Sequence, residues 1–150
     1  MSGWRWRAEL LSLILLLTAC NSQNEEARRL LGVAGDCDAA LTTCQVSDGD
    51  ITVSLHMGPG VAPLQPSPLT LSIEGGEVDA ENVVVDFQMQ GMEMGMNRYR
   101  LHHQQGSWHG TVSLPVCIAS GSQMEWQATA EFILNGEPLS AGFFFISKAN

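Results

Sequence analysis

The chain has 150 residues, with seven basic and sixteen acidic side chains and a formal charge of −9. Such an excess of acid repels phosphate backbones and anionic headgroups, so nucleic-acid binding has no electrostatic support and membrane contact needs another device. The length suits one domain of about a hundred residues once a short leader is set aside.

Residues 1–19 read as that leader. Arg5 and Arg7 give a positive start, Leu10 to Leu17 form an apolar run broken only by Ser12, and Thr18-Ala19 lead to Cys20. An apolar run this short cannot span a hydrocarbon core of roughly 30 Å, and its order of basic, apolar and small residues is that of a removable export signal. Leu17-Thr18-Ala19-Cys20 resembles a bacterial lipobox. The resemblance implies cleavage before Cys20, lipid on its sulfur, and a domain tethered to a Gram-negative envelope membrane and facing the periplasm. Asn21 resembles the sorting signal for the outer membrane rather than the inner. Loss of residues 1–19 removes Arg5, Arg7 and Glu9, so five basic and fifteen acidic residues remain, a formal charge of −10.

Residues 20–36 read as a flexible tether, in which Glu25 to Leu31 could wind one or two turns of helix before Gly32 and Gly35. The domain is expected over 37–150. Outside the cytosol two of the three remaining cysteines pair. Three pairings are open; Cys37 and Cys44 would close the shortest loop, which leaves Cys117 as the spare thiol. A link to Cys117 would instead staple the domain's start to a distant strand.

From Ile51 the sequence alternates. Ile51–His56, Leu69–Glu74 and Asn82–Gln88 read as strands, with a proline-rich loop from Gly58 to Pro68. Arg98–His102, Trp108–Leu114, Met124–Leu134 and Gly142–Ile146 follow, and Asn135-Gly136 marks a turn. About seven short strands with turn signals near every tenth residue predict an all-β, immunoglobulin-like antiparallel sandwich. A small closed barrel is the competing architecture.

The unusual segment is Met89 to Arg98, which holds four of the chain's seven methionines. Thioether sulfur is soft and suits cuprous copper. In an extended chain Met92, Met94 and Met96 would share one face, and Gly91 and Gly95 could bend it to bring the sulfurs together. Met89, His102 and His109 are further candidate ligands. The alternative is packing, since methionine fills irregular cores. Arg98 and Arg100 are expected to pair with Asp86 or Glu93, and Trp126 to lie in the core. Cys117 lies in the apolar run Leu114–Ile118, which blunts a thiol. No nucleophile elbow, phosphate loop or CxxC pair is present, so the chain reads as non-enzymatic.

From Val83 to Phe145 the order of features resembles the YtkA-like and FixH-like group of small envelope proteins. The residues that carry it are Met92-Glu-Met94-Gly-Met96, then Gly106-Ser-Trp-His-Gly-Thr-Val-Ser-Leu-Pro115, then Met124-Glu-Trp126. The resemblance implies an immunoglobulin-like sandwich and, as in some relatives, a part in copper supply or oxidase assembly. The chain departs from the group in its cysteines and in a lipid in place of a transmembrane anchor. The expectation is thus a lipid-anchored binding protein, with cuprous copper as its cargo and an envelope protein as its partner. The alternative is a structural or interaction lipoprotein that binds no metal.

Overall fold

A computed structural model describes residues 27–116 and 123–148. The leader, Cys20 and Cys117 lie outside them. The regular structure of the described chain is almost all strand: β1 (Arg29–Asp38), β2 (Cys44–Asp48), β3 (Ile51–Met57), β4 (Ser67–Glu74), β5 (Val84–Met89), β6 (Arg98–Arg100), β7 (His102–Gln104), β8 (Ser107–Val112), β9 (Gln123–Leu134) and β10 (Glu137–Lys148). One turn of 3-10 helix, Ala80–Asn82, precedes β5 and is capped by the Asp79 carboxylate.

Two five-stranded sheets face each other, ordered β1-β10-β9-β5-β6 and β2-β3-β4-β8-β7. The chain crosses between them after β1, after β4, after β6 and after β8, the Greek-key wiring of an immunoglobulin-like sandwich rather than a closed barrel. All ladders are antiparallel except β1 on β10, which is parallel.

Alternation explains why these segments fold as they do. β9 turns Met124, Trp126, Ala128, Ala130, Phe132 and Leu134 into the core and leaves the intervening residues outside. β3 and β4 send Val53, Leu55, Met57, Leu69, Leu71 and Ile73 to meet them from the other sheet. Trp126 is fully buried, stacks on Phe145 with ring centroids 6.5 Å apart, and donates its indole N–H to Ser147 Oγ at 3.1 Å. That bond satisfies the one polar atom the ring takes into the core.

Two expectations are corrected and one unforeseen strand, β2, is added. Residues 29–36, read as tether and partly as helix, are already β1, held in the ladder by β10. Tertiary pairing outweighs a local helix preference in a segment this short. β2 carries too few alternating residues to be seen in isolation; it exists because β3 pairs with it from Cys44 to Asp48. The single strand expected over Arg98–His102 is two, because buried Leu101 marks the step from one sheet to the other. Gly110 makes room for this step, since a Cβ there would stand 2.7 Å from Leu101 Cδ2.

Cys37 and Cys44 form a disulfide. It joins β1 of one sheet to β2 of the other, so the short loop closes the sandwich along one side.

The registers also define two ends. Arg29 begins β1 at the end that carries the turns at Gly49 and at Asn135-Gly136. Acidic side chains gather there: Asp48, Asp50, Glu77, Asp79 and Glu137. Arg29 bridges this end, donating to Asp48 at 2.5 Å and to Glu137 at 2.7 Å. The opposite end carries the loops 39–43, 58–66 and 90–97. Gly58 shapes the second of these: its φ is +149°, and a Cβ would lie 2.7 Å from the Gly60 nitrogen and 2.9 Å from the Ala40 oxygen.

Candidate functional site

The methionine segment is the connection between β5 and β6, outside any ladder. Its base is fixed by two backbone bonds, Gln90 N–H to the Glu125 carbonyl and Phe87 N–H to the Asn97 carbonyl, each 2.9 Å. Asn97 then fastens the loop from within. Its amide donates to the Met94 carbonyl at 3.3 Å and to the Gly95 carbonyl at 3.2 Å. Gly91 and Gly95 adopt left-handed backbone, φ +77° and +73°, which other residues enter only at a cost. The bends expected at these glycines are present.

The shared face is not. Met89 is buried, as the last inward residue of β5, and Met94 packs half-buried against the core. Met92 is 39% exposed and Met96 87%. Period-two alternation needs an extended chain, and the left-handed residue between Met94 and Met96 breaks it. Met92 and Met96 are therefore exposed, while Met94 between them is half-buried. Packing accounts for Met89 and Met94 but not for Met96.

The histidines belong elsewhere. His102 and His109 stand directly opposite each other on β7 and β8, in the sheet that does not carry the methionine loop. His109 is engaged at both nitrogens, by Ser107 Oγ at 2.8 Å and Thr70 Oγ1 at 3.3 Å. His103 faces Trp108, with ring centroids 4.7 Å apart. The structure thus does not bring His102 and His109 to Met92, Met94 and Met96. Among the described residues no group of three or more His, Cys, Asp or Glu is placed to hold a metal ion.

Charges on the first sheet centre on Glu131. It takes Arg98 at 2.6 Å and Arg28 at 3.1 Å, a partner that the sequence reading did not name. Asp86 stands opposite Arg98 in the ladder. Burial pushes the Asp86 carboxyl above its ordinary value, against the pull of Arg98. Arg100 donates instead to the Glu81 carbonyl. Glu137 lies below the usual carboxylate range because Arg29 donates to it.

Sequence reasoning overlooked one further feature, the distortion of β1 over Gly35–Cys37. The paired glycines Gly32 and Gly35 were its signal, but they were read as helix stops in a tether.

No family model matches the chain, and neither a curated protein nor a solved structure does.

Proposed function

We propose that the chain is a non-enzymatic, lipid-anchored binding protein of the bacterial envelope that presents the loop 90–97 to a cuprous ion. The observation that carries this reading is the exposure of Met96, and to a lesser degree of Met92, on one loop held by Asn97. A thioether left in water gains nothing from hydrophobic burial, whereas it suits a soft monovalent cation. Met92 and Met96 supply the sulfurs, and Met94 contributes by fixing the loop to the core. Two neutral ligands on a surface hold an ion in an exchangeable way, as delivery to a partner requires. The resemblance to envelope proteins of copper supply and oxidase assembly points in the same direction.

The anchor would set the orientation. Eight residues, 21–28, lie between Cys20 and Arg29, and the nine Cα steps reach at most about 30 Å. β10 alone, at twelve residues, is about 40 Å long. The methionine loop lies at the end of the domain remote from the residue that the tether enters, on a domain held at the outer membrane's inner leaflet and facing the periplasm. A second reading, docking of an envelope protein with no metal, is favoured by Leu41 and Leu64. They are 71% and 66% exposed at the same end as the methionine loop.

Anaerobic titration of the mature chain with cuprous ion against a cuprous chelator tests the first reading. One ion retained with a micromolar or tighter constant is expected, and its loss in Met92→Leu/Met96→Leu. No retention, or retention unchanged in that variant, rejects the metal and leaves the docking reading.

A further inference from the structure

A groove on the outer face of the first sheet is used by neither the methionine loop nor the core. After a first irregularity between Leu30 and Val33, β1 pairs with β10 until Ala34 stands opposite Phe143; Asp38 then stands opposite Phe144, so Gly35, Asp36 and Cys37 bulge from the ladder. A bulge lifts one strand locally off its neighbour. Here it leaves a hollow of about 290 Å³ lined by Phe144 and Ile146 of β10, with Asp36 on one side and Glu125 of β9 on the other. Glu125 is placed by its ladder position opposite Ile146. The bulge is fixed at both ends. Cys37 is tied to β2, and Asp38 Oδ1 accepts from Ala40 N–H at 2.9 Å and Ile146 N–H at 3.3 Å.

The chemistry of the groove is specific. Phe144 is half-buried, Asp36 and Glu125 are exposed, and neither carboxylate has an ion-pair partner among the described residues. An aromatic and aliphatic wall between two unpaired carboxylates attracts a flat cation, through the ring quadrupole and through paired hydrogen bonds. The chain's excess of acid would steer a basic partner to it.

We propose that this groove receives an arginine side chain of a partner protein. The inference goes beyond the metal reading and stands without it, because no methionine takes part. The disulfide is a condition of the site, since it pins the bulge that forms one wall.

Amide NMR of the oxidised mature chain tests this, with an acetylated and amidated Gly-Arg-Gly-Arg-Gly peptide as the probe. The citrulline analogue, equal in shape and neutral, is the control. Saturable shifts are expected at residues 35–38, 125 and 144–146, with at least fivefold weaker binding for the citrulline peptide and for Asp36→Asn/Glu125→Gln. Phe144→Leu, which keeps the groove apolar but removes the ring, should also weaken the arginine peptide. Absent shifts overturn the proposal, as does unchanged affinity in the carboxylate variant. So do shifts that spread without saturation over Asp48–Asp50 and Glu77–Asp79, which would mean general attraction to acid.

Discussion

β9 and the loop 90–97 carry the same kind of sequence and meet opposite fates. Both alternate, both contain methionine, and in both every second residue was expected to share one face. In β9 every second residue from Met124 to Leu134 is buried, because β10 and β5 pair with it along both edges and hold it extended. The loop 90–97 has no ladder on either side, so its glycines bend it and Met96 emerges into solvent. Alternation therefore marks a buried face only where neighbouring strands enforce the extended chain.

Substitutions can break this contrast or sharpen it. The largest effect belongs to Trp126→Ala, which empties the centre of the core and leaves Ser147 without its donor. Denaturant unfolding should show a loss of about 3–5 kcal/mol. Cys37→Ser/Cys44→Ser follows, with about 2–3 kcal/mol lost, since the cross-link closes a loop with a separation of only seven residues. Met94→Ala should cost about 1–2 kcal/mol as a half-buried contact, and Met96→Ala should stay within about 0.5 kcal/mol. Equal costs for Met94→Ala and Met96→Ala would remove the distinction between the two sulfurs.

Two carboxylates of the first sheet should respond to pH with opposite sign. Asp86 is raised when folded, so it favours the fold while protonated and opposes it as pH climbs past the ordinary aspartate range. Asp86→Asn should accordingly raise the unfolding midpoint at pH 7, with the gain fading at pH 3. Glu137 is lowered when folded, so its contribution is present above the ordinary glutamate range and lost on acidification through its folded value. Glu137→Gln should lower the midpoint slightly at pH 7 and have no effect at pH 2.

Much of this was legible in the sequence, for reasons that particular residues show. Ile51–Met57, Leu69–Glu74 and Met124–Leu134 have period-two patterns long enough to identify a strand and its buried face. The Cys37–Cys44 pair was the shorter closure and is the one formed. β1 escaped because its alternation is interrupted by Gly32 and Gly35, and because its main partner, β10, lies at the other end of the chain. The step at Leu101 escaped because one apolar residue can belong to either sheet. In the site, Gly91 and Gly95 announced the bends, but their effect on Met96 depends on a left-handed φ that residue type alone does not reveal. The placement of His102 and His109 was hidden by the same step at Leu101, which carries both to the other sheet.

The most direct test of the central claim is carbon NMR of the mature chain labelled at its methionine methyl groups, with cuprous ion added in the absence of oxygen. Met92 and Met96 should shift in saturable fashion at one equivalent, while Met57, Met89 and Met124 stay fixed in the core. Methyl signals of Met92 and Met96 that remain in place while the ion is added, or that move no more than those of Met57 and Met124, would contradict it.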